Sequence, residues 1–286
     1  MANLHAQFIA FDQAISITSS KKTKLIASRK ALENKIKAYF KTKPTLPVPS
    51  FYIQGSYKMG TMILGKDGTY DVDLGVYFLA KPSVTANTIQ SNVLNAVKDH
   101  TAGGVQHREK CVRVIYKGDF DIDLPIYYKT LSDMHPCLAT KTEGWIMSDP
   151  KELCDWFEKR KDKNGQLVRV IKYIKAWANY RTLKMPSGIA ITVWAAGGCF
   201  KADVRDDIAL LETIKAIRNS VYWGVSCINP ATPKDNLCSK LDSTQRQNFK
   251  DAMDIFISEA SNAIKSADPA VSTRIWQKML GPKFGV

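Results

Sequence analysis

The stretch GSYKMGTMILGKDGTYDVDLGVYF, Gly55 to Phe78, sets a glycine-serine pair ahead of a β-branched and aromatic run carrying two aspartates one residue apart. Strand side chains alternate between faces. In YDVDLGVYF, Val72, Leu74, Val76 and Phe78 therefore share an apolar face, and Asp71, Asp73 and Gly75 share the other. Two carboxylates this close each raise the cost of ionising the other. A positive partner has to offset the repulsion, and a divalent metal is the usual one.

The arrangement recurs in FDIDLPIYY, where Phe120, Ile122, Leu124 and Ile126 share one face and Asp121 and Asp123 the other. If the two strands are neighbours, three or four carboxylates converge on one patch. Such a patch suits two Mg²⁺ ions and in-line phosphoryl displacement. A single Asp-x-Asp is more often an exposed strand face; two such strands, one preceded by Gly-Ser, weigh against that. Gly55 permits a tight turn and close backbone approach. The amides that follow it, with the Ser56 hydroxyl, can cradle phosphate oxygens, although an isolated Gly-Ser pair is most often an ordinary turn. KCVRVIYKGDFDIDLPIYY reads as a hairpin turning at Lys117-Gly118.

Around this centre, Leu4, Phe8, Phe11 and Ile15 recur at helical spacing, and so do Leu25, Leu32, Ile36 and Tyr39 with Phe40. The prolines of KTKPTLPVPS close the second helix. FYIQ is a short strand entering the glycine turn, and SVTANTIQSNVLNAVKDH is a helix with Ser83 as its cap. Beyond about residue 150 the pattern is helical. QLVRVIKYIKAWANYRT has Val170, Ile171, Ile174, Trp177 and Ala178 on one stripe, and SGIAITVWAAGGCF is apolar all round. DDIALLETIKAIRNSVYW and STQRQNFKDAMDIFISEASNAIKS are amphipathic, and the basic run EKRKDKNG is expected to be a solvated loop between lobes. The expected fold is α+β: residues 1–150 form a small mixed sheet with N-terminal helices, and residues 151–286 form a helical lobe.

No apolar run in the 286 residues reaches the roughly 20 needed to span a bilayer. The N-terminus MANLHAQFIAFDQ lacks a basic region followed by a long apolar stretch, so a cytoplasmic protein without a membrane partner is expected. The six cysteines form no CxxC pair, and the four histidines do not fall beside them at zinc spacing. That argues against a structural zinc and for reduced thiols in the core. The net charge of +14 favours polyanionic partners, nucleotides or nucleic acid, and fits a solvated basic surface equally.

Taken together, Gly55-Ser56, Thr61, Asp71-Val72-Asp73 and Asp123-Leu124-Pro125 resemble the polymerase-β-like nucleotidyltransferase superfamily. RVIKYIKAWANY, MPSGIAITVWAA, RDDIALLETI and RIWQKMLGPKF look like the bacterial CD-NTases, the cGAS/DncV-like nucleotidyltransferases of CBASS anti-phage systems. The resemblance implies a polymerase-β-like core packed on a helical lobe as a bilobed cage. It implies Asp71, Asp73 and Asp123 as catalytic ligands of two Mg²⁺ ions, with Mn²⁺ as the alternative. Asp123 would also help deprotonate the attacking ribose hydroxyl. Gly55, Ser56, Lys172 in IKY and Ser187 in PSG would bind the donor triphosphate, Lys175 being the alternative lysine. Asp121 stands where related sequences often carry an uncharged residue or histidine and is expected to back Asp123; Asp119 belongs to the turn.

The implied substrates are ATP and/or GTP, or pyrimidine NTPs, and the implied product is a cyclic di- or trinucleotide read by a separate effector protein. The end KFGV is expected to be a flexible tail open to conjugation machinery. Nucleic acid is not required, though the basic surface leaves it open. Two competing readings stand: a polymerase-β-like transferase acting on RNA ends or protein, and a degenerate nucleotide-binding module. A degenerate copy would have lost a metal ligand, and all three aspartates and the Gly-Ser are present.

Overall fold

The structure is a computed structural model, and it describes residues 2–285. It divides into two compact units. One, α/β, comprises residues 18–59 and 67–154; the other, helical, comprises 1–17, 60–66 and 155–286. Where composition suggests one boundary at residue 150, the chain passes between the units repeatedly. Helix α1 (His5–Ile15) and the segment 60–66 both belong to the helical unit. So does the whole of the basic run EKRKDKNG, whose Asp162 accepts hydrogen bonds from the first amides of the helix that follows.

The α/β unit is built on one mixed sheet. Its elements in chain order are α2 (Ser19–Lys41), β1 (Ser50–Gln54), α3 (Gly55–Met59), β2 (Tyr70–Phe78), α4 (Ala86–Val97), β3 (Val105–His107), β4 (Val112–Tyr116), β5 (Phe120–Leu124), β6 (Ile126–Tyr128), β7 (Cys137–Ala139) and β8 (Trp145–Met147). Strand β2 is the hub. It pairs antiparallel with β1 and parallel with β5 and β6 in constant register, Tyr70 opposite Phe120 and Val76 opposite Ile126. Pro125 has no amide to donate and separates β5 from β6, while its carbonyl accepts from the Val76 amide at 2.9 Å.

Alternation fixes which face is core. Tyr70, Val72, Leu74, Val76 and Phe78 are buried, as are Phe120, Ile122 and Leu124. Phe78 meets Phe40 of α2 edge-on at 5.3 Å, and Phe120 stacks on Tyr70 at 5.2 Å and on Tyr116 at 4.5 Å. Helix α4 buries Ile89, Val93 and Val97 as its periodicity requires. Its cap is Thr85, whose hydroxyl accepts from the Thr88 amide, rather than Ser83; the helix starts at Ala86, beyond the reach of Ser83.

Helix α5 (Pro150–Glu158) leads into the helical unit, which holds α6 (Gln166–Tyr180), α7 (Gly188–Trp194), a π-helical turn (Ala195–Cys199), α8 (Asp206–Ser220), α9 (Ser243–Lys265) and α10 (Pro269–Leu280). Its core is aromatic. Phe8 lies 5.1 Å from Tyr173, 4.9 Å from Trp276 and 4.9 Å from Phe284, ring centre to ring centre. Helix α6 is buried well beyond the expected stripe, including Tyr173, Lys175 and Ala176. Its polar groups are satisfied inside the unit. Fully buried Asp206 accepts from Arg169, Gln166 and the Tyr173 hydroxyl. Burial pushes the Asp206 carboxyl up, but these contacts outweigh it and leave the group below its usual range.

No helix among the described residues is long and apolar enough to cross a membrane. At the other end of the sequence, KFGV is anchored through Phe284. Its ring is fully buried against Phe8, Phe11 and Trp276, where the sequence suggested a flexible tail; Val286 lies outside the described residues. Phe284→Ala should destabilise the protein by about 3–5 kcal/mol and speed carboxypeptidase trimming and tryptic cleavage at Lys283. An unchanged melting temperature and cleavage rate would show that the ring is not seated.

Candidate active site

The glycine-serine pair and the first aspartate strand are in direct contact. β1 runs antiparallel to β2 with Gln54 opposite Asp73, and the chain turns at once into α3. Gly55 has φ +66°, and a Cβ there would collide with the Asp73 carboxylate. Only glycine lets α3 start this close to Asp73. Ser56 follows, and its hydroxyl has no hydrogen-bond partner among the described residues. Gly75 is required for a similar reason, because a Cβ there would strike the Tyr77 ring and Gln54 Oε1. Buried Gln54 accepts from the Tyr77 hydroxyl and donates to that of Tyr127, and the two tyrosine rings stack at 4.7 Å. This layer closes the inner end of the carboxylate patch.

The parallel register of β2 and β5 sets Asp71 beside Asp121 and Asp73 beside Asp123. The convergence of both Asp-x-Asp pairs, conditional in the sequence, is therefore realised. The positive charge that offsets them is Arg113, at the polar alternate position of β4 and directly opposite Asp123. Its Nε and Nη2 donate to the two oxygens of Asp123, both at 2.7 Å, and Nη1 donates to Asp121 at 2.9 Å. Nη2 also lies 3.1 Å from Asp71. One planar guanidinium thus serves three carboxylates, one of them bidentately. Asp73 is the exception and has no hydrogen bond to another described side chain. Burial, then the charges of Asp123 and Asp71, push its carboxyl up to about 7. Burial also raises Asp71, and Arg113 opposes this.

An under-compensated, half-buried carboxylate flanked by two others is an all-oxygen donor set that suits a hard divalent cation such as Mg²⁺ or Mn²⁺. Asp71, Asp73 and Asp123 fit the role that resemblance gives them. Asp71 and Asp123 turn oxygens toward Arg113, whereas the Asp73 carboxylate lies against Gly55. A second cluster joins His135, Asp149 and Glu152, whose ligand atoms lie within 4.8 Å of one another. There Asp149 Oδ1 accepts from the Glu152 amide at the start of α5 and His135 Nδ1 sits 3.0 Å from Glu152, the contacts of a helix cap.

The remaining expected residues lie on the helical unit. Lys172 is held by Asp12 at 3.1 Å and by the Ser16 hydroxyl at 3.0 Å. Ser187 caps α7, accepting from the Ala190 amide. Lys175 is buried, packs on Gly188, and donates to the carbonyl and hydroxyl of Thr61 at 3.2 and 2.9 Å. Burial brings it down to about 7. Thr61 and Lys175 thus fasten the 60–66 segment to α6. Asp119 is in the hairpin loop as expected, and Lys21 and Lys24 of α2 grip it at 3.0 and 2.7 Å. Arg113 is the residue that sequence reasoning missed. Its signal was present in VRVIY, since a three-residue loop with Gly118 at φ +78° sets Tyr116 opposite Phe120 and hence Arg113 opposite Asp123.

Comparison with known proteins agrees with this geometry. Residues 49–127 match the DncV-like nucleotidyltransferase family, described as the nucleotidyltransferase domain of cyclic GMP-AMP synthase DncV-like proteins. That segment holds Gly55, Ser56, Asp71, Asp73, Arg113 and Asp123. Among solved structures, Vibrio cholerae DncV, a cyclic AMP-GMP synthase, superposes with TM-score 0.84 at 18% identity, covering 99% of this chain and 98% of that one. Bradyrhizobium diazoefficiens CdnG, a CD-NTase solved in complex with GTP, superposes with TM-score 0.80 at 11% identity, covering 96% and 95%. Escherichia coli DncV, in its 3'-deoxy GTP bound form, gives 0.78 at 16%, covering 95% and 93%. At these identities the likeness establishes a shared fold.

Two substitutions test the geometry. A folded-state value of about 7 for Asp73, against about 3.9 when unfolded, means the folded state binds the extra proton between those pH values. The stability of metal-free protein therefore falls as pH rises from about 4 to 7. Asp73→Asn should remove this fall, raising the melting temperature in EDTA at pH 8 by roughly 5 °C and giving no gain near pH 4; a gain independent of pH would contradict the buried charge. Gly55→Ala should lower stability at every pH by about 1–3 kcal/mol, measured by denaturant unfolding.

Proposed function

We propose that this chain is a CD-NTase that joins nucleoside triphosphates into a cyclic di- or trinucleotide, releases pyrophosphate at each step, and does so with Mg²⁺. The observation that carries this reading is the parallel pairing of two Asp-x-Asp strands beside Gly55-Ser56. ATP and GTP are the proposed substrates, and complexes with ATP, with GTP and with nonhydrolyzable GTP among the similar structures support them.

In each step the ribose hydroxyl of one nucleotide attacks the α-phosphorus of another. A new O–P bond forms, the bond to pyrophosphate breaks, and the hydroxyl proton leaves. Asp71, Asp73 and Asp123 would hold two divalent ions, which when bound neutralise triphosphate charge and make the hydroxyl easier to ionise. The Ser56 hydroxyl and the first amides of α3 donate to the donor triphosphate. Asp123 receives the proton. Arg113, bonded to both oxygens of Asp123, fixes the orientation of that carboxylate, and Asp121 holds Arg113 from the other side. For Lys172 and Ser187 the triphosphate role rests on resemblance, and Lys172 would first have to leave Asp12.

The proposed setting is cytoplasmic CBASS anti-phage signalling, with a separate effector sensing the product. Conjugation at the C-terminus belongs to the same proposal, beside a Phe284 ring that is buried. The net charge of +14 keeps a second reading open, transfer to RNA ends or protein. Incubation with labelled ATP and GTP and Mg²⁺, then phosphatase and chromatography, separates the two. A phosphatase-resistant small product is expected, reduced roughly 100-fold or more in Asp73→Ala and Asp123→Ala. Label found only on added RNA or protein would sink the cyclase reading, and near-normal turnover in either variant would sink the metal assignment.

A further inference from the structure

Within the helical unit a pocket of about 150 Å³ opens between α1, α6, the 60–66 segment and the chain after α10. Phe11, Ile15, Leu64 and Ala176 give it apolar walls. Its volume is that of a cavity able to take one benzene-sized ring. Gly281 forms part of the rim with φ +96°, and a Cβ there would press on the Tyr180 ring at 3.0 Å, so glycine keeps the opening close to that ring.

The charge around the opening has one sign. Lys66 and Lys283 line it, and no acidic residue does. The Lys66 ammonium stands over the Tyr180 ring, 5.3 Å from its centre. Neither lysine has an ion-pair partner among the described residues. Asn179 adds a side-chain amide to the lining. An apolar pocket with two unpaired cations at its edge complements a small molecule that has an apolar body and an anionic end. A nucleoside triphosphate is too large for the space, and a neutral hydrocarbon would leave the lysines unanswered.

The geometry points to a binding site for a small aromatic carboxylate, the ring seated against Phe11, Leu64 and Ala176 and the carboxylate meeting Lys66 and Lys283. The 60–66 segment, which leads in sequence from α3 to β2, is already fastened at Thr61 by Lys175 and at Leu64 by the Ile15 carbonyl, 2.8 Å from the Leu64 amide. A bound ring would clamp the same segment through Leu64 and Lys66.

The test is titration of the full chain with benzoate and, in parallel, its neutral counterpart benzyl alcohol, followed by NMR and calorimetry. Nucleotide turnover is not a readout, so this inference stands or falls apart from the proposed activity. Benzoate should bind saturably with one equivalent and at least about 10-fold more tightly than benzyl alcohol, and it should slow amide exchange at 64–66. Ala176→Leu should abolish binding of both probes. Because that change is internal, the double variant Lys66→Gln with Lys283→Gln serves as an independent check that leaves the apolar walls intact. It should bind benzoate no better than benzyl alcohol. No saturable benzoate binding below about 10 mM, equal affinity for the two probes, or benzoate affinity unchanged in the double variant would each overturn the site.

Discussion

Four carboxylates on adjacent strands cannot stay ionised on one sheet face without a cation, and in this structure that cation is Arg113. Its guanidinium bonds to Asp123 and Asp121 and reaches Asp71. The rest of the α/β unit serves this balance. The three-residue loop at Gly118 sets β4 against β5 so that Arg113 faces Asp123. The parallel pairing with β2 brings Asp71 and Asp73 alongside. The apolar opposite faces, closed by Phe40 and the buried side of α4, keep the register from slipping, since a one-residue shift would turn every aspartate into the core.

The balance is uneven, and the unevenness is where chemistry becomes possible. Arg113 bonds both oxygens of Asp123 and leaves the Asp73 carboxylate without a side-chain hydrogen bond among the described residues. Gly55 brings α3 against that same carboxylate. A divalent cation arriving here would meet one carboxylate in want of charge and two whose partner can be exchanged. The arginine keeps the metal-free site from repelling itself apart without filling it with carbon.

Much of this was legible in the sequence. The two faces of β2, the hairpin and the two Asp-x-Asp pairs follow from period-two alternation and a glycine turn, while the strand stops at Phe78, short of Pro82. The Gly55–Asp73 contact was not legible, because it depends on the pairing of Gln54 with Asp73. Arg113 emerges only once β4 is set against β5, because the alternation of VRVIY alone does not show which residue faces Asp123. On the helical unit, periodicity put Lys172 off the apolar stripe of α6, but that stripe is only part of what is covered. Lys172 reaches Asp12 and Ser16, and Lys175 reaches Thr61, partners more than 100 positions away. Phe284 reads as part of a short polar-flanked tail, and only the aromatic cluster of Phe8, Phe11 and Trp276 shows why its ring is in the core.

The claim that Arg113 occupies the electrostatic place of a metal is tested most directly by calorimetric titration of Mg²⁺ into nucleotide-free protein, comparing Arg113→Gln with the unaltered chain. If the guanidinium competes with the ion for Asp123 and Asp71, the variant should bind Mg²⁺ at least roughly 10-fold more tightly. Equal or weaker binding in a folded variant would contradict the account.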